Sequence, residues 1–307
     1  MARILVTGGA GFIGSHIVNA YLEQGHQVCV VDNLSTGSKA NLNPKVKFYK
    51  VDIKDAMKLQ KVFNLERPQI INHQAAQKDV RKSVEDPIFD ARVNILGSLN
   101  LMQLAIKFKV KKFIFASSGG AIYGEAKTIP TPEDYPPAPV SPYGVAKLTV
   151  EKYLDYYQHE FKLPYISLRY ANVYGPRQDP KGEAGVVAIF VGKLSRNEAC
   201  TIHGDGKNTR DYIYVGDVVE ANIISTEKEI VGAYNIGTGL ETDVNELSKK
   251  IIEATGSKTK PTHGPAKPGE QRRSCLEINL AKKELGWEPK VELGEGIEKT
   301  VEWFKNK

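Results

Sequence analysis

Short β-branched runs alternate with helix-length amphipathic stretches through the first half of the chain, the order that builds a parallel sheet covered by helices. The apolar runs predict strands at Ile4–Thr7, Gln27–Val31, Lys47–Val51, Gln69–Asn72, Lys112–Ala116 and Tyr165–Arg169. The amphipathic stretches predict helices at Ile13–Glu23, Asp55–Asn64, Ala91–Phe108 and Pro142–Phe161. A doubly wound α/β fold of this kind binds ligands at the carboxyl ends of its strands, beside the point where the strand order reverses. Function is therefore expected in the loops that follow the strands. After about Asn172 the pattern loosens, with Gly- and Pro-rich loops at Gly175–Gly185, Gly204–Arg210 and Pro261–Gly269. The organisation expected is a sheet domain over residues 1–172 and a smaller substrate-capping lobe over 173–307, some of whose segments return to the sheet.

Composition narrows the class. No apolar run in the 307 residues approaches the roughly 20 needed to cross a bilayer. Met1 leads directly into the first strand without the ordered regions of a secretion signal. A soluble, cytoplasmic protein is expected. Cys29, Cys200 and Cys275 are scattered, with no Cys-x-x-Cys pair, which suggests neither a disulfide framework nor a zinc site. The six histidines show no ligand spacing, so no metal is expected. The net charge of +6 is spread along the chain, which suits a solvated surface better than a nucleic-acid footprint and leaves a polyanionic small ligand compatible.

The first chemical motif is Gly8-Gly9-Ala10-Gly11-Phe12-Ile13-Gly14, placed between a strand and a helix. Glycines in that context permit a tight turn and close backbone approach, while free amides at the helix start attract a pyrophosphate. This is the fingerprint of a Rossmann dinucleotide site. Asp32 ends the second strand eighteen residues beyond Gly14, where a carboxylate can accept from both adenosine-ribose hydroxyls of NAD; a local capping aspartate is the alternative. The following Asn33-Leu34-Ser35-Thr36-Gly37 offers no arginine for a 2′-phosphate, which favours NAD over NADP. Asp52 and Ile53, ending the third strand, would lie near the adenine.

The second motif is Tyr143-x-x-x-Lys147, where Pro142 suits a first helical turn and the four-residue spacing puts both side chains on one face. A nearby ammonium and a positively charged nicotinamide ring would both favour the phenolate, bringing Tyr143 towards the operating pH as a proton shuttle. Lys147 could also hold the nicotinamide ribose. The same pair in isolation is more often a packing feature; after a nucleotide fingerprint in one α/β unit it carries more weight.

Together with Ser117-Ser118-Gly119-Gly120-Ala121-Ile122-Tyr123-Gly124, Arg169-Tyr170-Ala171-Asn172 and Arg210-Asp211-Tyr212, these stretches resemble the extended short-chain dehydrogenases/reductases over nearly the whole chain, and within them the UDP-galactose 4-epimerases and their nucleotide-sugar relatives. The resemblance implies NAD as cofactor, lined also by Gln74, Ala75, Ala76, Gln77, Lys78, Asn94 and Ala171. It implies that Asn172 and Arg210 meet the diphosphate of a sugar nucleotide. Within Lys267-Pro268-Gly269-Glu270-Gln271-Arg272, Glu270 would accept from a ribose hydroxyl, and Arg272 or Lys267 would pair with phosphate.

The chain departs from the family in one place. The hydroxyl that meets the sugar 4-oxygen usually stands five residues before the glycine of Val/Ile-Tyr-Gly, and here that position is Gly119. Ser118 shifts into the role, or a water does, or Tyr143 works unaided. The Asp-Glu pair of the 4,6-dehydratases is replaced by Gly120 and Ala121, which leaves hydride removal and return as the chemistry. The expected activity is a UDP-galactose/UDP-glucose 4-epimerase. Epimerase or 4-reductase activity on another nucleotide sugar, a uronate or a dTDP-sugar, and a non-catalytic sensor remain as alternatives. The resemblance puts the residue that limits room beside the sugar's 2-substituent four residues after Glu270, and the small Ser274 there implies room for a UDP-N-acetylhexosamine as well. The resemblance further implies a homodimer packed through the helices at Ala91–Phe108 and Pro142–Phe161.

Overall fold

In the first half of the computed structural model, which describes residues 1–180, 185–266 and 271–306, strands and helices alternate. They run β1 Arg3–Thr7, α1 Phe12–Glu23, β2 Gln27–Asp32, β3 Lys47–Lys50, α2 Ala56–Glu66 and β4 Ile70–His73, then α3 Val80–Glu85 and α4 Pro87–Ala91. A π-helical turn at Arg92–Leu96 leads into α5 Gly97–Lys107, followed by β5 Lys112–Ser118, the single turn α6 Gly119–Ile122, α7 Pro142–Phe161 and β6 Tyr165–Tyr170. A seventh strand, Gly232–Ile236, returns late in the chain, and the sheet order is Gly232–Ile236, β6, β5, β4, β1, β2, β3. β1 pairs in parallel with both β2 and β4. The chain thus leaves β1 in one direction and comes back on its other side, which puts the switch point at the carboxyl ends of β1 and β4.

Burial on both faces explains the uninterrupted apolar runs in these strands. Ile4, Leu5 and Val6 of β1 and Val30 and Val31 of β2 are all buried. Leu5, Val31, Phe63, Phe113 and Leu154 belong to one core under the helices. Side-chain caps set the helix starts: Asp55 accepts from Lys58 N before α2, and Ser141 from Gly144 N before α7, where Pro142 takes the first turn.

Contacts divide the chain into two units. Met1–Ile122, Pro137–Arg169 and Val219–Tyr234 form the first, and Tyr123–Pro136, Tyr170–Val218 and Asn235–Lys307 the second. The second has its own core, in which Tyr174, Phe190, Val191, Leu247, Ile251 and Ile297 are buried. Its strands are short: Asn172–Tyr174 pairs with Tyr212–Tyr214, Thr209–Arg210 with Thr242–Asp243, and Thr201–His203 with Thr262–Gly264.

Three sequence expectations change. The segment 261–269 is not all loop, because Thr262–Gly264 is a strand; its residues 267–269 lie outside the described residues. The third strand ends at Lys50, which places Asp52 and Ile53 in the following loop. The helix expected at Ala91–Phe108 starts earlier and is interrupted: Asp86 caps a turn opened by Pro87, and a π-turn then brings Asn94 inward. All three cysteines are free and buried. Among the described residues no helix is long and apolar enough to cross a membrane, and no His, Cys, Asp or Glu cluster could hold a metal ion.

Candidate active site

The glycine turn stands at the carboxyl end of β1. Gly8 has φ +68°, and a Cβ there would lie 2.6 Å from Ala75 N, so glycine is required both by conformation and by space. A Cβ on Gly14 would lie 2.2 Å from Gly8 O. The turn closes through Gly11 N donating to Gly8 O at 3.0 Å. Gly11 is the N-cap residue of α1 and has no side chain to offer the first-turn amides, which Phe12 and Ile13 open. The result is a compact cradle facing the positive end of a twelve-residue helix.

Asp32 braces this turn. Its Oδ2 accepts from Ala10 N at 3.0 Å and its Oδ1 from Leu34 N at 2.8 Å. The local role weighed for it in the sequence is therefore real, yet a carboxylate has about four acceptor sites, so both oxygens keep capacity for a ribose. Beyond it, Asn33 Oδ1 accepts from Ser35 N, and Asn33 Nδ2 donates to Asp52 Oδ2 at 3.0 Å. Ser35 and Thr36 are exposed, while Gly37 lies so near Ala10 that a Cβ would come to 3.0 Å. Ile53 is buried and packs where a Cβ on Gly97 would be.

Across the switch point, the loop after β4 is held from below. Ala75 N donates to Thr7 Oγ1 at 3.2 Å, and Gln74 Nε2 donates to Asn72 Oδ1 at 2.7 Å. Asn94 accepts from Gln77 N and donates to Gln77 O, each at 2.9 Å, and also donates to Asp90 Oδ1. Its amide shapes the loop that carries Ala76 and the exposed Lys78. His73 lies beneath, bonded to Thr7 Oγ1 at 2.7 Å and Ser98 Oγ at 2.9 Å, and burial drives its pKa down to about 3. It is a neutral core residue.

The tyrosine–lysine pair stands in the first two turns of α7, beside the end of β5. Lys147 is buried, and its Nζ donates to Ala116 O at 2.6 Å and lies 5.6 Å from the Tyr143 ring centroid. An ammonium has three donors, so two remain. Burial lowers the Lys147 pKa to about 8, against the raising influence of the Asp90 and Glu151 carboxylates. Tyr143 moves the other way. Burial pushes its phenol up to about 12, Asp90 adds to the rise, and the side-chain hydrogen bond with Ser118 opposes it. Protein groups alone therefore hold the phenol protonated, contrary to the shift expected from the nearby ammonium: desolvation of the phenolate dominates, and the neighbouring charge that acts on it, Asp90, raises it further.

Ser118, the last residue of β5, is the hydroxyl that reaches Tyr143. Gly119 is buried and starts α6, and a Cβ on Gly120 would meet nothing within 4 Å. Two acidic groups of this neighbourhood escaped the sequence reading. Asp90 is buried, with one oxygen making no hydrogen bond. Glu151 is buried on α7, pairs with Arg169 at 2.7 Å and accepts from Ser117 Oγ at 2.6 Å. Its signal was available, since Tyr143, Lys147 and Glu151 recur at four-residue spacing.

In the second unit, Ala171 N donates to Ile236 O and Asn172 N to Asp211 O, each at 2.9 Å. Arg210 is half-buried, its Nη1 donating to Thr209 O at 2.7 Å. Arg272 is exposed and forks onto Asp205 with both contacts at 2.9 Å. Ser274 is buried. Lys267 and Glu270 lie outside the described residues.

Residues 4–237 match the model of a family described as "NAD dependent epimerase/dehydratase family". The chain is 53% identical, over 99% of both chains and with a TM-score of 0.98, to a UDP-glucose 4-epimerase of Thermotoga maritima solved with UDP-glucose. It is 45% identical, again over 99% of both chains and with a TM-score of 0.94, to a Thermus thermophilus UDP-glucose 4-epimerase solved as its NAD complex. A UDP-glucose 4-epimerase of Mycolicibacterium smegmatis is 45% identical over 99% of each chain.

Proposed function

Because this chain belongs to the NAD dependent epimerase/dehydratase family, we propose that it interconverts UDP-galactose and UDP-glucose through a transient 4-keto sugar. The observation that carries the reading is the Tyr143–Lys147 pair at the start of α7, with the buried Lys147 Nζ held on Ala116 O at the end of β5, in the unit that also holds the glycine cradle. The residues present fit NAD. The cradle leaves no room for a Cβ at Gly8 or Gly14, α1 offers its amides to a pyrophosphate, and Asp32 stands at the end of β2 with acceptor capacity to spare.

When bound in the cradle, NAD would supply the hydride acceptor and donor that the exchange at C4 of the sugar requires. Tyr143, as the phenolate that the Lys147 ammonium and the positive charge of a bound nicotinamide would favour over the resting phenol, takes the proton of the 4-hydroxyl as the ketone forms and gives it back in the return step. Ser118 hydrogen-bonds the same oxygen atoms and favours the charged state of Tyr143. Lys147 orients the pair from Ala116 and keeps donors for the nicotinamide ribose. Gln74, Ala75, Ala76, Lys78, Asn94 and Ala171 line or support the dinucleotide, with Asp52 and Ile53 at the adenine. In this reading residues 1–172 supply the NAD-binding domain and 173–307 the sugar-nucleotide lobe, and Asn172, at their boundary, meets the diphosphate with Arg210 and Arg272 of the lobe. The small Ser274 admits a 2-acetamido group. Gly120 and Ala121 supply neither acid nor base for elimination, which supports epimerisation over dehydration.

The enzyme works as a cytoplasmic homodimer through α5 and α7 in this reading. Leu96, Val145, Tyr156 and Phe161 support it, being large apolar residues left exposed on that side of the first unit. The test is to incubate purified protein with UDP-galactose and follow UDP-glucose by chromatography and NADH by absorbance. Conversion without net NADH is expected. Stoichiometric consumption of added NADH would indicate a reductase, and no conversion of any UDP-hexose would sink the proposal.

A further inference from the structure

Three consecutive residues at the end of β5 are tied to three successive turns on one side of α7. Lys147 Nζ donates to Ala116 O at 2.6 Å, Ser117 Oγ donates to Glu151 Oε1 at 2.6 Å, and the Ser118 hydroxyl acts on the Tyr143 phenol, lowering its pKa. Tyr143, Lys147 and Glu151 stand four apart in sequence, so they share a helix face. The ties at Tyr143 and Lys147 involve the reacting pair itself. The third does not, and it is the most elaborate. Glu151 and Arg169 have side chains 5% and 10% exposed. The Arg169 guanidinium reaches the carboxylate through both Nε, at 3.1 Å, and Nη2, at 2.7 Å.

Such a pair is a poor device for stability. Removing two charges from water costs most of what their attraction returns, and well-packed apolar residues of similar volume often do as well or better. The best-attested use of buried polar groups is to fix register. The geometry here fits that use, because Arg169 on β6 neutralises and aims a carboxylate that would otherwise be too costly to bury, and the carboxylate then holds Ser117. Ser117 is one residue from Ser118 on the strand, and Glu151 is two turns from Tyr143 on the helix.

We propose that Glu151 is a positioning residue: clamped by Arg169, it latches Ser117 and so fixes α7 against the end of β5, setting the distance between the Ser118 and Tyr143 hydroxyls. The proposal rests on the reading of Tyr143 as the proton carrier. It asks little of the latch in binding and much in the chemical step, since a misplacement of about 1 Å in a catalytic group can cost on the order of 100-fold in rate.

The cleanest probe is Ser117→Ala, which removes the latch hydroxyl and leaves the Glu151–Arg169 pair intact; Ser117→Thr restores a hydroxyl, and Glu151→Asp keeps the charge but withdraws the acceptor. With NAD bound, kcat for UDP-galactose should fall by about tenfold or more in Ser117→Ala and Glu151→Asp, KM should move by less than about twofold, and Ser117→Thr should recover most of the loss. Deuterium uptake at the amides of residues 142–148 should rise in the two impaired variants while that of residues 152–161 stays unchanged. A lowered melting temperature with kcat intact, or unchanged uptake at 142–148, would overturn the latch. Wild-type protein that turned over no UDP-hexose would instead overturn the epimerase reading, and the exchange measurement would still judge the latch.

Discussion

In the proposed reaction the proton carrier is Tyr143, and in the protein alone its surroundings work against that role. Burial raises the phenol to about 12, so the resting form is the protonated one. Tyr143→Phe keeps the ring and removes the proton; kcat should fall by roughly 10²–10⁴, the usual worth of a positioned acid–base group, while KM for UDP-galactose changes little. Lys147 offers a test free of substrate. Its folded pKa is lowered to about 8 by burial, against an ordinary 10.5, so between those values the unfolded chain binds the proton that the native protein has released. Stability then gains from this residue as pH rises from about 8 towards 10.5, and below about 8 the cost of burying the charge is constant. Denaturation midpoints for wild type and Lys147→Met, compared at pH 7.5, 9 and 10, should diverge in favour of wild type; a flat difference would mean that Lys147 titrates like a solvated lysine. In the sequence Ser118 was one of three options for supporting Tyr143, beside a water and no partner at all. Counting from Gly124 lands on Gly119, whereas in the fold Ser118 ends β5 and acts on the Tyr143 phenol, and the turn Gly119–Ile122 starts directly after it.

At the scale of elements, the strands of the central sheet were readable because burial on both faces leaves continuous apolar runs, and the glycine turn because its spacing sits between a strand and a helix. The breaks at α3, α4 and the π-turn were not, since pieces of six, five and five residues are too short to show a helical period of their own. Strands of two or three residues in the second unit are too short to show a period at all. The glycine turn yields a paired prediction. Gly14→Ala would put a Cβ 2.2 Å from the Gly8 carbonyl, so the turn must open; the purified variant should lose bound NAD and melt at lower temperature. Gly120→Ala, whose Cβ meets nothing within 4 Å, should fold with unchanged or higher stability, because alanine also restricts the unfolded chain. Calorimetry on both variants checks the contrast, and equal melting temperatures for the two would show that the close approach at Gly14 imposes no constraint.

For the whole molecule, the return of Gly232–Ile236 to the sheet and the sharing of segments between two units depend on long-range pairing that no local pattern encodes. The same holds for assembly, where the sequence suggested a helix pair and the fold shows what those helices leave uncovered. Leu96 is 54% and Tyr156, further along α7, 52% exposed, and an apolar hollow of about 540 Å³ is lined in part by Pro87, Ala91, Ile95, Val140 and Val145. Apolar surface gathered in this way is worth covering, and a second copy of the same face would bring like residues together about a two-fold axis. Sedimentation at micromolar concentration should then give twice the 33.9 kDa of one chain. Leu96→Glu with Tyr156→Glu should leave the isolated chain folded, since both positions are solvated in it, yet set unpaired carboxylates into the shared face and drive the protein to a monomer. A variant that stayed dimeric would place the interface elsewhere, and a wild type sedimenting as a single chain would remove the dimer from the proposal altogether.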